Sequence, residues 1–292
     1  MALVVTCCLA VIGVMALMRP SGATAGVLSL PPTPKAAASI QLPVAGIDTG
    51  ACISYSAAGT QPGKTVFIDA GHGGLDPGVV GSAGGKQVLE KDATLAVATR
   101  LSALLRADGY GVVMARTQDS SVTKLAASDS ITGALTNSAE HRDLVTRVAC
   151  ANASNASVLV SIHFDGFSDP SVGGTETFYD SVRPFAASSK RLAADLQAGL
   201  VAGLGTSDRG VWTDDQLAAP ALTSSGDSYG HLIVLGPASA GWVDAPSQMP
   251  GALVEPLFMT NPTEAQIASD PGGQQRIAQA MEAGLVKFFS GA

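Results

Sequence analysis

Short apolar runs alternate with longer amphipathic stretches from about residue 64 to the end of the chain. The apolar runs are rich in β-branched residues and end at Gly or polar residues, which is typical of buried strands. They cover residues 65–69, 111–115, 157–163, 174–179, 231–235 and 252–255. Apolar positions at helical spacing predict helices over 91–108, 141–153, 185–204 and 274–289.

This alternation predicts an α/β fold: a single domain over 60–292, with a mixed, mostly parallel sheet flanked by helices on both faces. Residues 26–59 are rich in Pro and Ala and are expected to form a linker or arm. Residues 118–140 are polar and long for a connection inside a compact domain. Such a segment either covers a site or decorates the surface.

The amino terminus has the pattern of an export signal. Residues 2–18 are almost wholly apolar, and Ala23-Thr24-Ala25 has the form that signal peptidase accepts. We therefore predict a signal peptide over 1–25 and export to the periplasm or cell wall, although no Lys or Arg precedes the apolar run. The alternative is a retained anchor, for which about 17 apolar residues are marginal in a bilayer about 30 Å thick.

Export changes the interpretation of the cysteines. Cys7 and Cys8 would leave with the signal peptide, so Cys52 and Cys150 would remain in an oxidising compartment. We expect a disulfide between them, which would join the segment before the core to a helix inside it. The alternative is two unrelated thiols, with Cys150 simply buried.

Composition narrows the possible partners. The 292 residues include 17 Lys+Arg and 24 Asp+Glu, a formal net charge of −7, which argues against nucleic acid as a partner. An apolar fraction of 46% with only 14% charged residues argues against a disordered chain. No obvious interface stripe is visible, so we expect a monomer.

Candidate chemistry lies at the ends of the predicted strands. His72 and His163 each follow an apolar strand, and sites in open α/β sheets form beyond the carboxyl ends of strands. Glu90 stands at a helix start, where helix capping is the alternative role, and Glu255 ends an apolar strand. Two His and one Glu with an open fourth position form a known catalytic zinc site. A further Glu beside such a site can act as general base.

Weaker candidates have equally plain structural alternatives. Asp69 either hydrogen-bonds a ligating histidine from the second shell, as such imidazoles usually require, or belongs to a strand-end turn. Glu176 either competes for the metal or is a strand surface residue. We expect His141 and His231 to be structural or solvated.

Several motifs of one family follow one another in order across about 64–290. They are 67–74 with Asp76-Pro77-Gly78; Glu90-Lys91; Arg116-Thr117; Leu144, Arg147, Ala151 and Asn152 followed by Ser161-Ile162-His163; Gly174 with Tyr179; and 249–255 followed by Phe258-Met259-Thr260-Asn261. In these motifs the chain resembles the zinc-dependent N-acetylmuramoyl-L-alanine amidases (amidase type 3), the family that includes the bacterial cell-division amidases.

The resemblance implies Zn²⁺ held by His72, Glu90 and His163, with Glu255 as general base on zinc-bound water. It also implies a peptidoglycan or muropeptide substrate, cleaved at the amide between N-acetylmuramic acid and L-alanine of the stem peptide. In some relatives an inserted element blocks the site until a partner displaces it, which makes 118–140 a candidate for that role and an activator protein a candidate partner. The alternatives are a non-catalytic peptidoglycan-binding or regulatory relative, and a zinc peptidase that cuts within the stem peptide.

Overall fold

The computed structural model describes residues 39–58, 63–216 and 229–291. The predicted signal peptide over 1–25 and the first part of the predicted arm, 26–38, lie outside these residues. Within the described ranges no helix is long and apolar enough to span a membrane.

The strands, numbered in chain order, belong to one large sheet and two small hairpins. They are β1 (Ser39–Gln41), β2 (Ala51–Tyr55), β3 (Thr65–Ala70), β4 (Val80–Ala83), β5 (Lys86–Leu89), β6 (Gly111–Arg116), β7 (Ser130–Ile131), β8 (Ala134–Leu135), β9 (Val158–Ile162), β10 (Thr175–Tyr179), β11 (Asp208–Thr213) and β12 (Gly251–Glu255). The hairpins are β4–β5 and β7–β8.

The large sheet has eight strands in the order β1-β2-β6-β3-β9-β12-β10-β11. Its centre, β6-β3-β9-β12, is parallel throughout. Toward one edge β2 runs antiparallel to β6, and toward the other β10 and β11 run antiparallel to β12. The predicted mixed, mostly parallel sheet is confirmed.

In the part of the chain that the structure describes, five α-helices accompany the sheet. They are α1 (Glu90–Ala107), α2 (Asn137–Ser154), α3 (Ala186–Leu204), α4 (Pro262–Ser269) and α5 (Pro271–Ser290). Side chains cap the starts of three of them: Thr136 for α2, Asn261 for α4 and Asp270 for α5 accept backbone N–H bonds of the first turn. Gly205 ends α3 and Gly291 ends α5, each in the left-handed conformation.

The sheet has a buried core on both faces, because successive side chains of a strand point to opposite sides. Along β3, Val66 and Ile68 join one core with α1, α3 and α5. Phe67 joins the other core, which contains α2 and the apolar side chains of 233–235. The central strands are thus covered on both faces, as predicted for a parallel sheet.

The structure corrects two expectations. Residues 231–235 form a buried turn and not a strand, because a short apolar run suits any buried conformation. Residues 39–55 are not a linker or arm, because β1 and β2 extend the main sheet. The composition did not indicate these two short strands, because Pro and Gly residues lie close to them in the sequence.

The predicted disulfide forms between Cys52 in β2 and Cys150 in α2. Both residues are fully buried in the core between the sheet and α2. The bond therefore joins the segment that precedes the central strands to a helix that supports them.

Candidate active site

The carboxyl edge of the three neighbouring parallel strands β3, β9 and β12 carries three of the predicted site residues. His72 follows β3, His163 follows β9 directly, and Glu255 is the last residue of β12. Glu90 is the first residue of α1 and reaches the same edge from the β4–β5 hairpin. The parallel topology therefore brings together side chains that are up to 183 positions apart in sequence (255 minus 72).

Three potential ligand atoms converge at one point of this edge. The Nε2 atom of His72 lies 3.0 Å from Oε1 of Glu90 and 3.1 Å from Nδ1 of His163. The same Nδ1 of His163 lies 3.2 Å from Oε1 of Glu90. Both imidazoles remain partly exposed, at 22% and 19%, whereas the Glu90 side chain is 2% exposed.

Backbone donors hold the Glu90 carboxylate in place. Its Oε2 accepts the N–H of Val79 at 2.8 Å, and its Oε1 accepts the N–H of Phe164 at 2.9 Å. Burial acts to raise the pKa of Glu90, but the adjacent His72 and His163 hold that pKa well below its usual range. Helix α1 has no side-chain cap at its start. The Glu90 carboxylate is turned into the site, so the alternative capping role is not observed.

The second nitrogen of the His72 ring is bonded to a carboxylate. Its Nδ1 lies 2.8 Å from Oδ2 of Asp76, which orients Nε2 toward Glu90. Burial acts to lower the pKa of His72, but the carboxylates of Glu90 and Asp76 raise it to about 10. Asp76 is thus the partner that a ligating imidazole requires.

Asp69, predicted for that role, does something else. Its Oδ1 accepts a hydrogen bond from Arg147 at 2.6 Å, and its Oδ2 accepts one from Ser161 at 2.8 Å. The same guanidinium donates to the carbonyl oxygens of Ala70 and His72. Asp69 therefore supports the backbone that carries His72 and does not touch the ring. Of the two roles considered for Asp69, a hydrogen bond to a histidine ring is not observed, because its carboxylate oxygens bond to Arg147 and Ser161.

Close backbone approach explains one of the glycines beside His72. A Cβ atom at Gly71 would lie 2.4 Å from the ring of His163, too close for any residue but glycine. His72 itself adopts a left-handed conformation with φ 60. This sharp turn brings its ring back over the end of β9.

Glu255 has a free carboxylate oxygen beside the cluster. Within the described part of the chain its Oε2 is buried and has no hydrogen-bond partner. Burial raises the pKa of Glu255 well above its usual range, and the carboxylates of Glu90, Asp165 and Glu176 act in the same direction. A buried polar atom without a partner in a cavity is a common feature of functional sites.

The donor set fits zinc. Ligand atoms bound tetrahedrally at the usual Zn²⁺ distances lie about 3.3 Å apart, close to the 3.0–3.2 Å separations of the three converging atoms. Two imidazole nitrogens and one carboxylate oxygen are ligands that this ion accepts. His72, Glu90 and His163 therefore form a group that could hold a metal ion.

Comparison with known families agrees with this site. The family model described as N-acetylmuramoyl-L-alanine amidase matches residues 66–287. This range includes the candidate ligands His72, Glu90 and His163 and the candidate general base Glu255. The chain belongs to the N-acetylmuramoyl-L-alanine amidase family. The resemblance noted in the sequence is thereby confirmed.

Individual relatives are amidases of the same family. The chain is 32% identical over 227 residues to the N-acetylmuramoyl-L-alanine amidase LytC of Bacillus subtilis, covering 78% of this chain but only 36% of LytC. It is 28% identical to the germination-specific N-acetylmuramoyl-L-alanine amidase of B. subtilis, covering 78% and 81% of the two chains. The CwlD amidase of Clostridioides difficile, solved in complex with the GerS lipoprotein, matches with a TM-score of 0.61 at 28% identity, covering 78% and 100%.

A cavity of about 250 Å³ adjoins the cluster of this amidase fold. Its polar lining consists of His72, Asp76, Glu140, Asp143, Arg147, His163 and Glu255. Its apolar wall consists of Leu135, Leu144, Leu232, Ile233, Val234 and Leu253. Since Leu135 and Glu140 belong to the 118–140 segment, that segment forms part of the cavity wall, and it leaves the two histidines partly exposed.

The other weak candidates lie outside the cluster. Glu176 accepts a hydrogen bond from Arg209 at 2.9 Å and is not among the converging ligand atoms. His141 contacts the carbonyl oxygen of Trp242 at 2.7 Å, which agrees with a structural role. His231 is partly exposed and pairs with Asp180 and Asp214, which agrees with a structural role.

Two residues that support the site, Asp76 and Arg147, have no role that the sequence predicted. Asp76 stands four residues after His72 in the Gly-rich loop, and its spacing is the only trace of its contact with that ring. Arg147 belonged to a recognised motif, but its bonds to Asp69 and to the backbone at His72 depend on the packing of α2 against β3. Neither contact is readable from local pattern.

Proposed function

We propose that this protein is a zinc-dependent peptidoglycan hydrolase that cleaves the amide between N-acetylmuramic acid and L-alanine of the stem peptide. The convergence of His72, Glu90 and His163 on one point carries the proposal, because it places a metal-binding group in a chain of the amidase family. The free oxygen of Glu255 in the same cavity supplies the acid–base group that hydrolysis requires.

His72, Glu90 and His163 would hold the zinc ion. When bound, zinc polarises the scissile carbonyl and makes an attacking water more acidic. Asp76 fixes the orientation of the His72 ring, and the backbone N–H groups of Val79 and Phe164 fix Glu90. The chain thus presents ligands whose positions are set before the metal arrives.

Glu255 would accept a proton from the attacking water and deliver it to the departing alanine nitrogen. The nitrogen needs this proton because an amide anion is a very poor leaving group. A raised pKa suits this role, since a carboxylate with a higher pKa is a stronger base. The apolar wall of the cavity suits the methyl groups of the lactyl ether and of alanine.

We propose that the protein acts after export, with 1–25 as its signal peptide, and that the catalytic domain follows the 26–38 segment. The buried disulfide between Cys52 and Cys150 supports an oxidising compartment. We also propose that an activating partner would act at 118–140, because this segment contributes Leu135 and Glu140 to the cavity wall.

Metal removal and restoration test the zinc requirement. The purified protein is treated with a chelator, and release of stem peptide from a soluble muropeptide is followed before and after zinc is added back. We expect release to stop on chelation and to return with zinc. Release that continues with no measurable zinc would contradict the proposal, and zinc binding without any release would favour a non-catalytic wall-binding relative.

A further inference from the structure

A second cluster of potential ligands lies outside the amidase site. Asp180 directly follows β10, Asp214 follows β11, and His231 lies in the segment that leads back to the core. Nδ1 of His231 lies 3.1 Å from Oδ2 of Asp180 and 3.2 Å from Oδ1 of Asp214. One ligand atom from each residue lies within 4.8 Å of the other two. No residue of this cluster belongs to the His72–Glu90–His163 group.

Each carboxylate of this cluster is anchored by one oxygen and presents the other to the centre. Oδ1 of Asp180 accepts the N–H groups of Val182 and Arg183 at 2.8 and 2.9 Å. Oδ2 of Asp214 accepts the N–H of Leu232 at 2.9 Å. The remaining oxygens face His231, as in a metal site whose ligands are oriented by outer hydrogen bonds.

Burial makes a negative charge on the two inward carboxylate oxygens energetically unfavourable. Asp180 is 2% exposed and Asp214 is 1% exposed. In the described part of the chain, Oδ2 of Asp180 is fully buried and has no hydrogen bond. Burial raises the pKa of Asp214 to about 6. A cation bound between the two carboxylates would balance their buried charge.

The hydrogen-bond donors of the described residues leave one of the two inward oxygens, Oδ2 of Asp180, without a hydrogen bond. The Arg183 guanidinium adjoins the cluster, but it donates to the carbonyl oxygens of Leu235, Gly236 and Ser247 instead of the free oxygen of Asp180. A single Nδ1–H of His231 could serve only one of the two inward oxygens well. Two carboxylates therefore converge on one imidazole.

We propose that Asp180, Asp214 and His231 bind a second divalent cation. Two carboxylate oxygens and one imidazole nitrogen suit Zn²⁺ and Mn²⁺, and Zn²⁺ is the probe for the test below. A cation at this point joins the ends of β10 and β11 to the segment that begins at His231.

The proposed site is connected to the amidase cavity through the residues that follow His231 in the chain. Leu232, Ile233 and Val234 follow His231 and form part of the cavity wall. The N–H of Leu232 already bonds to Asp214. A cation held by Asp214 and His231 therefore fixes this wall while the chemistry takes place elsewhere. The role of this second cation is structural. The proposal does not depend on whether the His72–Glu90–His163 group hydrolyses peptidoglycan.

Zinc counting separates the two clusters. The full chain is equilibrated with Zn²⁺, freed of unbound metal and measured by inductively coupled plasma mass spectrometry. We expect about two zinc ions in the unchanged protein and about one in Asp214→Asn. In a His72→Ala background we expect the remaining ion to be lost when Asp214→Asn is added. Asp215→Asn, the same substitution at the exposed neighbouring position, is the matched control and should bind like its parent.

Two results would overturn the second site. One is a zinc content of about one that Asp214→Asn leaves unchanged and His72→Ala abolishes. The other is obtained without variants: an anomalous difference map at the zinc edge, from crystals of the unchanged protein grown with zinc, that has a peak at His72 but none between Asp180, Asp214 and His231. Either result would leave the proposed amidase function standing.

Discussion

At the scale of single residues, the site depends on groups that hold the candidate ligands from behind. Asp76 bonds to Nδ1 of His72, and Arg147 bonds to the carbonyl oxygen of the same residue. Asp69 in turn fixes Arg147. The His72 ring and the His72 backbone are thus held by different groups. A change at Asp76 should therefore weaken metal binding but leave the backbone support, and with it the fold, in place.

Asp76→Asn tests this support. The amide keeps the size of the carboxylate but loses the charge that orients and strengthens the His72 imidazole. We expect zinc affinity to fall by roughly 10–100-fold, the usual effect of removing such a partner. Competition titration with a zinc indicator gives the measurement, and Asp92→Asn on the exposed surface of α1 is the control. An unchanged affinity would mean that Asp76 does not position the ligand.

Glu255→Gln separates metal binding from turnover. The variant retains His72, Glu90 and His163, so its zinc content should equal that of the unchanged protein. Turnover should fall by about 10²–10⁴-fold, the typical contribution of a general base. The control is Glu282→Gln on α5, which leaves the site untouched. Turnover within a few-fold of the unchanged protein would remove Glu255 from the mechanism.

The raised pKa of His72 predicts that zinc binding depends on pH. Without metal, His72 keeps its proton up to about pH 10, because Glu90 and Asp76 stabilise the charged ring. Zinc must displace that proton, so apparent affinity should rise with pH by about tenfold per unit for each proton released, until the pH nears 10. In the zinc-free protein the raised pKa of His72 also adds to the free energy of unfolding. This contribution is complete below about pH 6.5 and is lost as the pH rises through 10.

Calorimetry in buffers of different ionisation enthalpy measures the protons released per zinc bound. A release near zero at about pH 7, with an affinity that does not change with pH, would contradict the predicted protonation of His72.

The sequence predicted which residues converge at the site better than which residues support them. His72, His163 and Glu255 stand at the ends of apolar strands, and parallel strands bring such ends together. Which aspartate would reach the His72 ring could not be predicted. Asp69 is nearer in sequence, but the left-handed turn at residue 72 carries the ring toward Asp76.

At the scale of elements, the central strands were predictable and the edges were not. β3, β6, β9 and β12 are buried on both faces and read as continuous apolar runs. Edge strand β11 contains Asp208, Arg209 and Gly210, which give no such pattern. The turn at 231–235 has an apolar run because it is buried, not because it is extended.

The disulfide is the element-scale feature with the clearest energetic consequence. It closes a loop of 98 residues between β2 and α2. Replacing both cysteines, Cys52→Ala with Cys150→Ala, should lower the free energy of unfolding by up to about 4.7 kcal/mol, because the unfolded chain regains its freedom. Denaturant titration measures the change, and the unchanged protein titrated with and without a reductant is the control. Unchanged stability would show that the bond does not form in solution.

At the scale of the whole molecule, the cavity collects parts from distant regions of the chain. The sheet edge supplies the candidate ligands, while 118–140 and 232–234 supply walls. The fold class and the edge that bears the site followed from the alternation of strands and helices. The walls did not, because they come from irregular segments whose positions depend on tertiary packing and not on local periodicity.

The proposed function requires that this edge of the sheet hydrolyses one particular amide bond. The direct test is mass spectrometry of the products formed when the zinc-loaded protein is incubated with a small soluble muropeptide. We expect a free stem peptide that begins with L-alanine, together with an intact muramic acid sugar. Cleavage at a bond within the stem peptide would contradict the amidase assignment and identify a zinc peptidase on the same fold.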